Sequence, residues 1–180
     1  MRNARWFIAA VLIALTLTGA HVATAQMTMK AEDLIGVWEV VSAKDLKTGD
    51  PMPGFFDANT AVQRIQFTRS HWTVLAMQRG RSVVSATDFA KLSPEEKVKT
   101  NYARVFNEKH QQVFAARGGT YRLDGDTLHK KPTIALFTTI IDVDYVLKII
   151  RLDRSTMITQ RGWDIINPTT TIEVTYRRIE

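Results

Sequence analysis

The chain has no cysteine among its 180 residues. Disulfide bridges, thiolate zinc sites and cysteine nucleophiles are therefore excluded, as is a lipid-modified cysteine at an export-cleavage site. The fold has to stand on its apolar core alone. G-x-S-x-G, H-E-x-x-H, P-loop and G-x-G-x-x-G patterns are also missing, and with them the motif-borne forms of hydrolase, zinc-protease and nucleotide chemistry. No Lys/Arg run with interleaved aromatics occurs, so the formal charge of +6 reads as a solubility feature and no nucleic-acid partner is expected. Nothing calls for a metal or a cofactor.

What is present begins with a leader. Arg2 and Arg5 precede an uncharged, mostly apolar stretch from Trp6 to Thr18, and Ala23-Thr24-Ala25 follows as an A-x-A step. This order reads as a secretory signal peptide cleaved after Ala25. The apolar stretch falls short of the ~20 residues that span a bilayer, so no membrane span is expected after cleavage. Removing residues 1–25 leaves 180 − 25 = 155 residues, and the loss of two arginines lowers the formal charge from +6 to +4. That length suits one domain, residues 26–180, with a core of its own. The expected location is periplasmic or secreted.

Past the leader the pattern is that of short strands. Gly36 to Ala43 alternates, with Trp38, Val40 and Ser42 on one face and Glu39 and Val41 on the other. The following stretch, residues 47–54, holds two prolines and two glycines, which forbid regular structure, and leads into Phe55 and Phe56. Ala61 to Thr68 and His71 to Met77 read as paired strands around Arg69-Ser70, with Gln78 to Thr87 continuing the meander. Ile65 and Phe67 share a face. His71, Thr73, Leu75 and Met77 alternate with Trp72, Val74 and Ala76, so both faces of that strand are partly apolar.

One helix is expected, over about residues 93–110. Ser93 suits the N-cap, Pro94 the first turn, and Glu96 closes a capping box. Val98, Tyr102, Val105 and Phe106 form a one-sided apolar stripe that predicts a helix lying on the outside of the sheet. Two later stretches repeat one unit, Arg122-Leu-Asp-Gly-Asp-Thr-Leu128 and Arg151-Leu-Asp-Arg-Ser-Thr-Met157. Each sets a short polar turn between strand-like runs. Arg154 stands where the first copy has Gly125, so the second turn must differ in type. Ile140 to Leu152 is the longest strand candidate, with Ile141, Val143, Tyr145, Leu147 and Ile149 on an apolar face. A last strand runs from Thr170 to Ile179, and the count reaches about eight, enough for a small closed barrel.

Three stretches carry a resemblance. They are Leu34-Ile-Gly-Val-Trp-Glu-Val-Val-Ser42, Gly119-Thr-Tyr-Arg-Leu-Asp-Gly-Asp-Thr-Leu128 and Val174-Thr-Tyr-Arg-Arg-Ile179. In this order they resemble a bacterial lipocalin-like domain of the calycin type, with the helix-containing insertion of residues 88–111 where such domains carry one. The resemblance implies an all-β, eight-stranded antiparallel up-and-down barrel. It also implies that Arg178 of the last strand stacks on Trp38 of the first, beside Gly36, closing the narrow end. A guanidinium on an indole is a cation–π contact worth ~0.5–2 kcal/mol. Tyr176 stands where the family more often has tryptophan.

The chemistry that can be placed is thin. His71, His110 and His129 remain after the leader is removed. His71 and His129 on different strands could form a metal or acid–base site, or be ordinary rim or surface histidines; no ligand-spacing motif joins them. Asp142 and Asp144 share a face opposite an apolar one and are read as solvated. The cavity is the stronger candidate, since ligand pockets are mainly apolar with a few placed polar groups. Its expected lining is Ile65, Phe67, Leu75, Tyr121, Tyr145 and Leu147, with His71 as polar anchor and Phe55 and Phe56 as lid. Three functions follow: an exported barrel that carries a small hydrophobic molecule, a barrel enzyme of isomerase or hydrolase type using His71 and a tyrosine, or an interaction module with a filled interior.

Overall fold

A computed structural model describes residues 29–80, 84–162 and 171–180. The expected leader and its cleavage site lie outside the described residues. Eight antiparallel strands follow one another around a closed barrel: β1 Gly36–Asp45, β2 Ala61–Phe67, β3 His71–Gln78, β4 Phe114–Asp124, β5 Thr127–Ala135, β6 Tyr145–Leu152, β7 Thr156–Gly162 and β8 Thr171–Arg178. β8 pairs with β1, so no sheet edge is left open. This is the fold expected of a lipocalin-like domain.

Alternation decides the two faces. Ile65 and Phe67 on β2, Trp72, Val74 and Ala76 on β3, Leu128 on β5, Tyr145, Leu147 and Ile149 on β6, Met157 on β7, and Ile172, Val174 and Tyr176 on β8 are buried. Simple alternation fails on β1. A register shift between Val40 and Ser42 turns Ala43 inward and leaves Ser42 exposed, although the sequence pattern put Ser42 on the face of Trp38. The extra residue of a bulge is what reverses the alternation.

The two repeated turns differ as Arg154 requires. Gly125 takes a positive φ of 59° in the first. In the second, Asp153 accepts hydrogen bonds from the backbone N–H of Ser155 and Thr156 at 2.9 and 2.8 Å and from the Ser155 hydroxyl at 3.0 Å. The Ser155 backbone bond first, then the Arg151 guanidinium at 2.8 Å and the remaining bonds, hold the Asp153 carboxyl well below the usual carboxylate range. A carboxylate thus organises the turn that glycine makes in the first copy.

Two stretches depart from expectation. Among the described residues the meander does not continue after Gln78; residues 81–83 of the expected continuation lie outside them, and two helices, α2 Ala86–Lys91 and α3 Pro94–Val105, follow. Ser93 and Glu96 do form the capping box. The helix ends at Val105, and its apolar stripe is not buried: Val98 is 69% and Tyr102 47% exposed. Strand β6 begins at Tyr145, so β4, with 11 residues, is the longest strand. Residues Thr138–Ile140 form a 3-10 turn, and Asp142 adopts a φ of 63°, a left-handed conformation that ends extended structure and that Asp tolerates better than Ile or Val.

Candidate functional site

The connections alternate between the two ends of the barrel. The β2–β3, β4–β5 and β6–β7 turns lie at one end, with the short helix α1, Ala31–Leu34, and the chain end Glu180. The β1–β2 loop with its 3-10 turn Gly54–Phe56, the α2–α3 segment and the Thr138–Ile140 turn leave from the other.

The first end is shut. Trp38 and Arg178 are cross-strand partners on β1 and β8, and the guanidinium carbon lies 4.2 Å from the centre of the indole ring. Trp38 is fully buried and donates its Nε1–H to the Leu34 carbonyl at 2.8 Å. Arg178 donates to the carbonyls of Ile35 and Asp33, both at 2.5 Å, which satisfies acceptors that the end of α1 leaves free. Gly36, at φ 137°, has no room for a side chain: a Cβ there would press on the Glu180 carbonyl oxygen.

The other end opens into a cavity of about 340 Å³. Phe55 and Phe56 come to it from the β1–β2 loop, Val74 and Ala76 from β3, and Phe137 and Ile140 from the β5–β6 connection. Gln63, Gln112, Arg117 and Arg161 supply its polar groups. The rim is knitted by aromatic contact, with Phe106 and Phe137 ring centres 5.8 Å apart.

Among the described residues, the charge inside the barrel is of one sign. Lys130 is 6% exposed, on the inner face of β5 between Leu128 and Pro132, and its Nζ stands 4.5 Å from the centre of the Trp72 ring. Arg117 donates from Nη1 to the Tyr145 hydroxyl at 3.2 Å, and its buried Nε has no partner among the described residues. Arg161 lies with its guanidinium carbon 5.3 Å from the centre of the Phe56 ring. No ion pair among the described residues includes any of these three; the carboxylates in such pairs are Glu39, Asp88, Glu95, Asp124, Asp126, Asp142, Asp144, Asp153 and Glu173. Burial, with Arg117 and Arg161 adding repulsion, holds the Lys130 ammonium well below its usual pKa. Burial likewise lowers Arg161 and raises the phenols of Tyr145 and Tyr176.

Of the residues expected to line a cavity, Phe55 and Phe56 line this one, and Tyr145 is buried and bonded to Arg117. Ile65, Phe67 and Leu147 point inward but belong to the packed core. Tyr121 turns towards the shut end, with its hydroxyl on the Thr68 carbonyl at 2.7 Å and its ring edge-on to Phe67. His71 and Leu75 need correcting as lining residues. Both face solvent, Leu75 being 59% exposed, because Trp72, Val74 and Ala76 take the inner face of β3. His71 bonds through Nδ1 to the Ser70 hydroxyl at 2.9 Å and Tyr121 to Thr68, so these two do not meet as an acid–base pair. His129 and Asp144 approach to 3.7 Å on the outer surface, and Asp142 pairs with Lys131 at 3.2 Å. Among the described residues, no cluster of three or more His, Asp or Glu side chains is placed to hold a metal, and no helix is long and apolar enough to cross a membrane.

Sequence reasoning missed Lys130, Arg117 and Arg161. The signal for Lys130 was its place between Leu128 and Pro132 at the two-residue period, hidden because His129 and Lys131 make the outer face basic as well. A second concavity of about 580 Å³ lies outside the barrel between the end of β3 and the α3–Val113 segment. It opens widely to solvent and gathers no buried charge.

No family model and no curated protein matches this sequence. Solved structures with a similar course of the chain include a lipocalin-like protein from Bacteroides uniformis, 10% identical, covering 82% of this chain and 99% of its own, at a TM-score of 0.46. An uncharacterized protein from Bacteroides eggerthii is 10% identical over 81% of this chain and 98% of its own, at 0.43. A redesigned beta barrel is 11% identical over 86% and 98%, at 0.41.

Proposed function

We propose that this chain is an exported lipocalin-like carrier that holds a small, mainly apolar molecule in the mouth of its barrel. The observation that supports this reading is the cavity of about 340 Å³ at one end of a barrel whose other end is plugged. Small-molecule sites have this size and makeup, an apolar wall with a few converging polar groups. Phe55 and Phe56 sit on a loop held at the rim and serve as the lid. The leader of residues 1–25 supports delivery to the periplasm or beyond.

N-phenyl-1-naphthylamine, a neutral fluorescent apolar probe, tests the carrier reading directly. Saturable one-to-one binding, with a co-purifying mass in native mass spectrometry of protein from its own host, is the expected result. No probe binding and no adduct in repeated preparations would refute it. Sequencing the N-terminus of the exported protein checks the leader: Gln26 should come first, and an intact Met1 would remove the export part of the reading.

A further inference from the structure

The mouth of the barrel contains a feature that a container for neutral molecules does not need. Three cationic side chains from three strands, Arg117 on β4, Lys130 on β5 and Arg161 on β7, point into one interior. Among the described residues, no carboxylate stands within ion-pair distance of any of them. Lys130 is buried, and the two arginines are half-buried at the cavity wall. Charges withdrawn from water are ordinarily paired, because full burial of one without a partner costs several kcal/mol and partial burial a share of that. The partners inside this barrel are only partial: the Trp72 ring for Lys130, the Tyr145 hydroxyl and ring for Arg117, and the Phe56 ring for Arg161. The buried Nε of Arg117 has no acceptor among the described residues. Cation–π contacts soften the desolvation without using guanidinium N–H donors, and the Tyr145 hydroxyl takes only one of those of Arg117.

Resting on the carrier reading, we propose that the molecule held in the mouth is an anionic amphiphile, its oxyanion head received by Arg117 and Arg161 and its apolar body by the wall of the cavity. The two arginines line the same cavity as Phe55, Phe56, Val74 and Phe137. A carboxylate fits this setting best. A guanidinium fork meets a carboxylate with two parallel hydrogen bonds, and a single negative charge is the least costly to desolvate. Lys130, deeper and against Trp72, adds positive potential below the head group. The anion would turn an uncompensated cluster into a compensated one, so binding and stability are linked.

Displacement of bound N-phenyl-1-naphthylamine by octanoate, 1-octanol and octylamine separates head-group charge from apolar body. Octanoate should compete better than octanol by about tenfold or more, the yield of one charge-assisted hydrogen bond, and octylamine should compete worst. In Arg161→Gln and, separately, Arg117→Gln, the octanoate-to-octanol ratio should collapse towards unity. The ratio is read within each variant, so a change in overall affinity does not decide it. Arg64→Gln, the same charge change on an outward arginine paired with Glu39, should keep the wild-type ratio. Equal competition by octanoate and octanol in the wild type would overturn the anion inference and leave the carrier standing. A preference for octanoate that survives both interior variants would overturn the role of the arginines. Failure of the neutral probe itself to bind would overturn the carrier reading and this inference with it.

Discussion

Replacing Lys130 by methionine should make this protein more stable, by an amount that shrinks as pH rises. Methionine keeps the unbranched stem and the contact with Trp72 and removes the ammonium. Burying a polar group without a hydrogen bond costs about 1–3 kcal/mol in proteins. The ring returns about 0.5–2 kcal/mol to a cation and about 0.3–1.5 kcal/mol to a methionine sulfur, so these nearly cancel in the comparison. The variant should therefore gain about 1–2 kcal/mol at neutral pH, a rise of a few degrees in Tm for a domain of this size.

The pH dependence follows from the sign of the shift. The Lys130 ammonium is held well below its ordinary value of 10.5 by burial first and then by Arg117 and Arg161. Below the folded-state pKa both states carry the proton, and the wild type bears the full penalty. Between that value and 10.5 only the unfolded chain binds the proton, so wild-type stability climbs with pH, by at most about 1.4 kcal/mol per unit for one group. The groups facing Lys130 are Arg117 on β4, Arg161 on β7, the Tyr145 phenol on β6 and the Trp72 ring on β3, and the variant retains them all. Urea denaturation of both proteins between about pH 6 and about pH 10 gives the difference curve. A variant less stable at every pH, or an advantage that stays constant across the range, would refute the reasoning.

Two further perturbations address the shut end. A double-mutant cycle of Trp38→Phe and Arg178→Gln should show a coupling of about 0.5–2 kcal/mol, the range of a partly desolvated cation–π contact; denaturant melts giving additive losses would remove the stacking account. Gly36→Ala should lose about 1–3 kcal/mol, since its φ of 137° is strained for any side chain and its Cβ would press on the Glu180 carbonyl. Full stability of that variant by the same melts would mean that the Glu180 contact is dispensable.

How much of this was legible beforehand differs from element to element. Trp38, Arg178 and Gly36 could be named beforehand through the resemblance to a lipocalin-like domain, which implies that the last strand sets an arginine on the tryptophan of the first, as the β1–β8 pairing has it. The helix start at Ser93-Pro94-Glu95-Glu96 was local, since capping depends on four consecutive residues. On β3, by contrast, both faces carry apolar side chains, and periodicity alone could not choose between His71/Leu75 and Trp72/Val74/Ala76. The bulge in β1 was invisible for the same reason: it is a property of pairing with β8, not of Val40-Val41-Ser42 by themselves.

By itself the sequence determined the absence of thiol chemistry, a count of about eight strands and the two repeated turns. Each of these is written in residue types and short spacings. Only tertiary structure decided that Arg117, Lys130 and Arg161 face one interior. They lie on three strands, 13 and 31 residues apart along the chain, and alternation tells which residues share a face without telling which face is inside. Closing the barrel fixed that choice for all eight strands at once. It placed a cluster of positive charge, with no ion-pair partner among the described residues, under the open mouth, opposite the end that Trp38 and Arg178 seal.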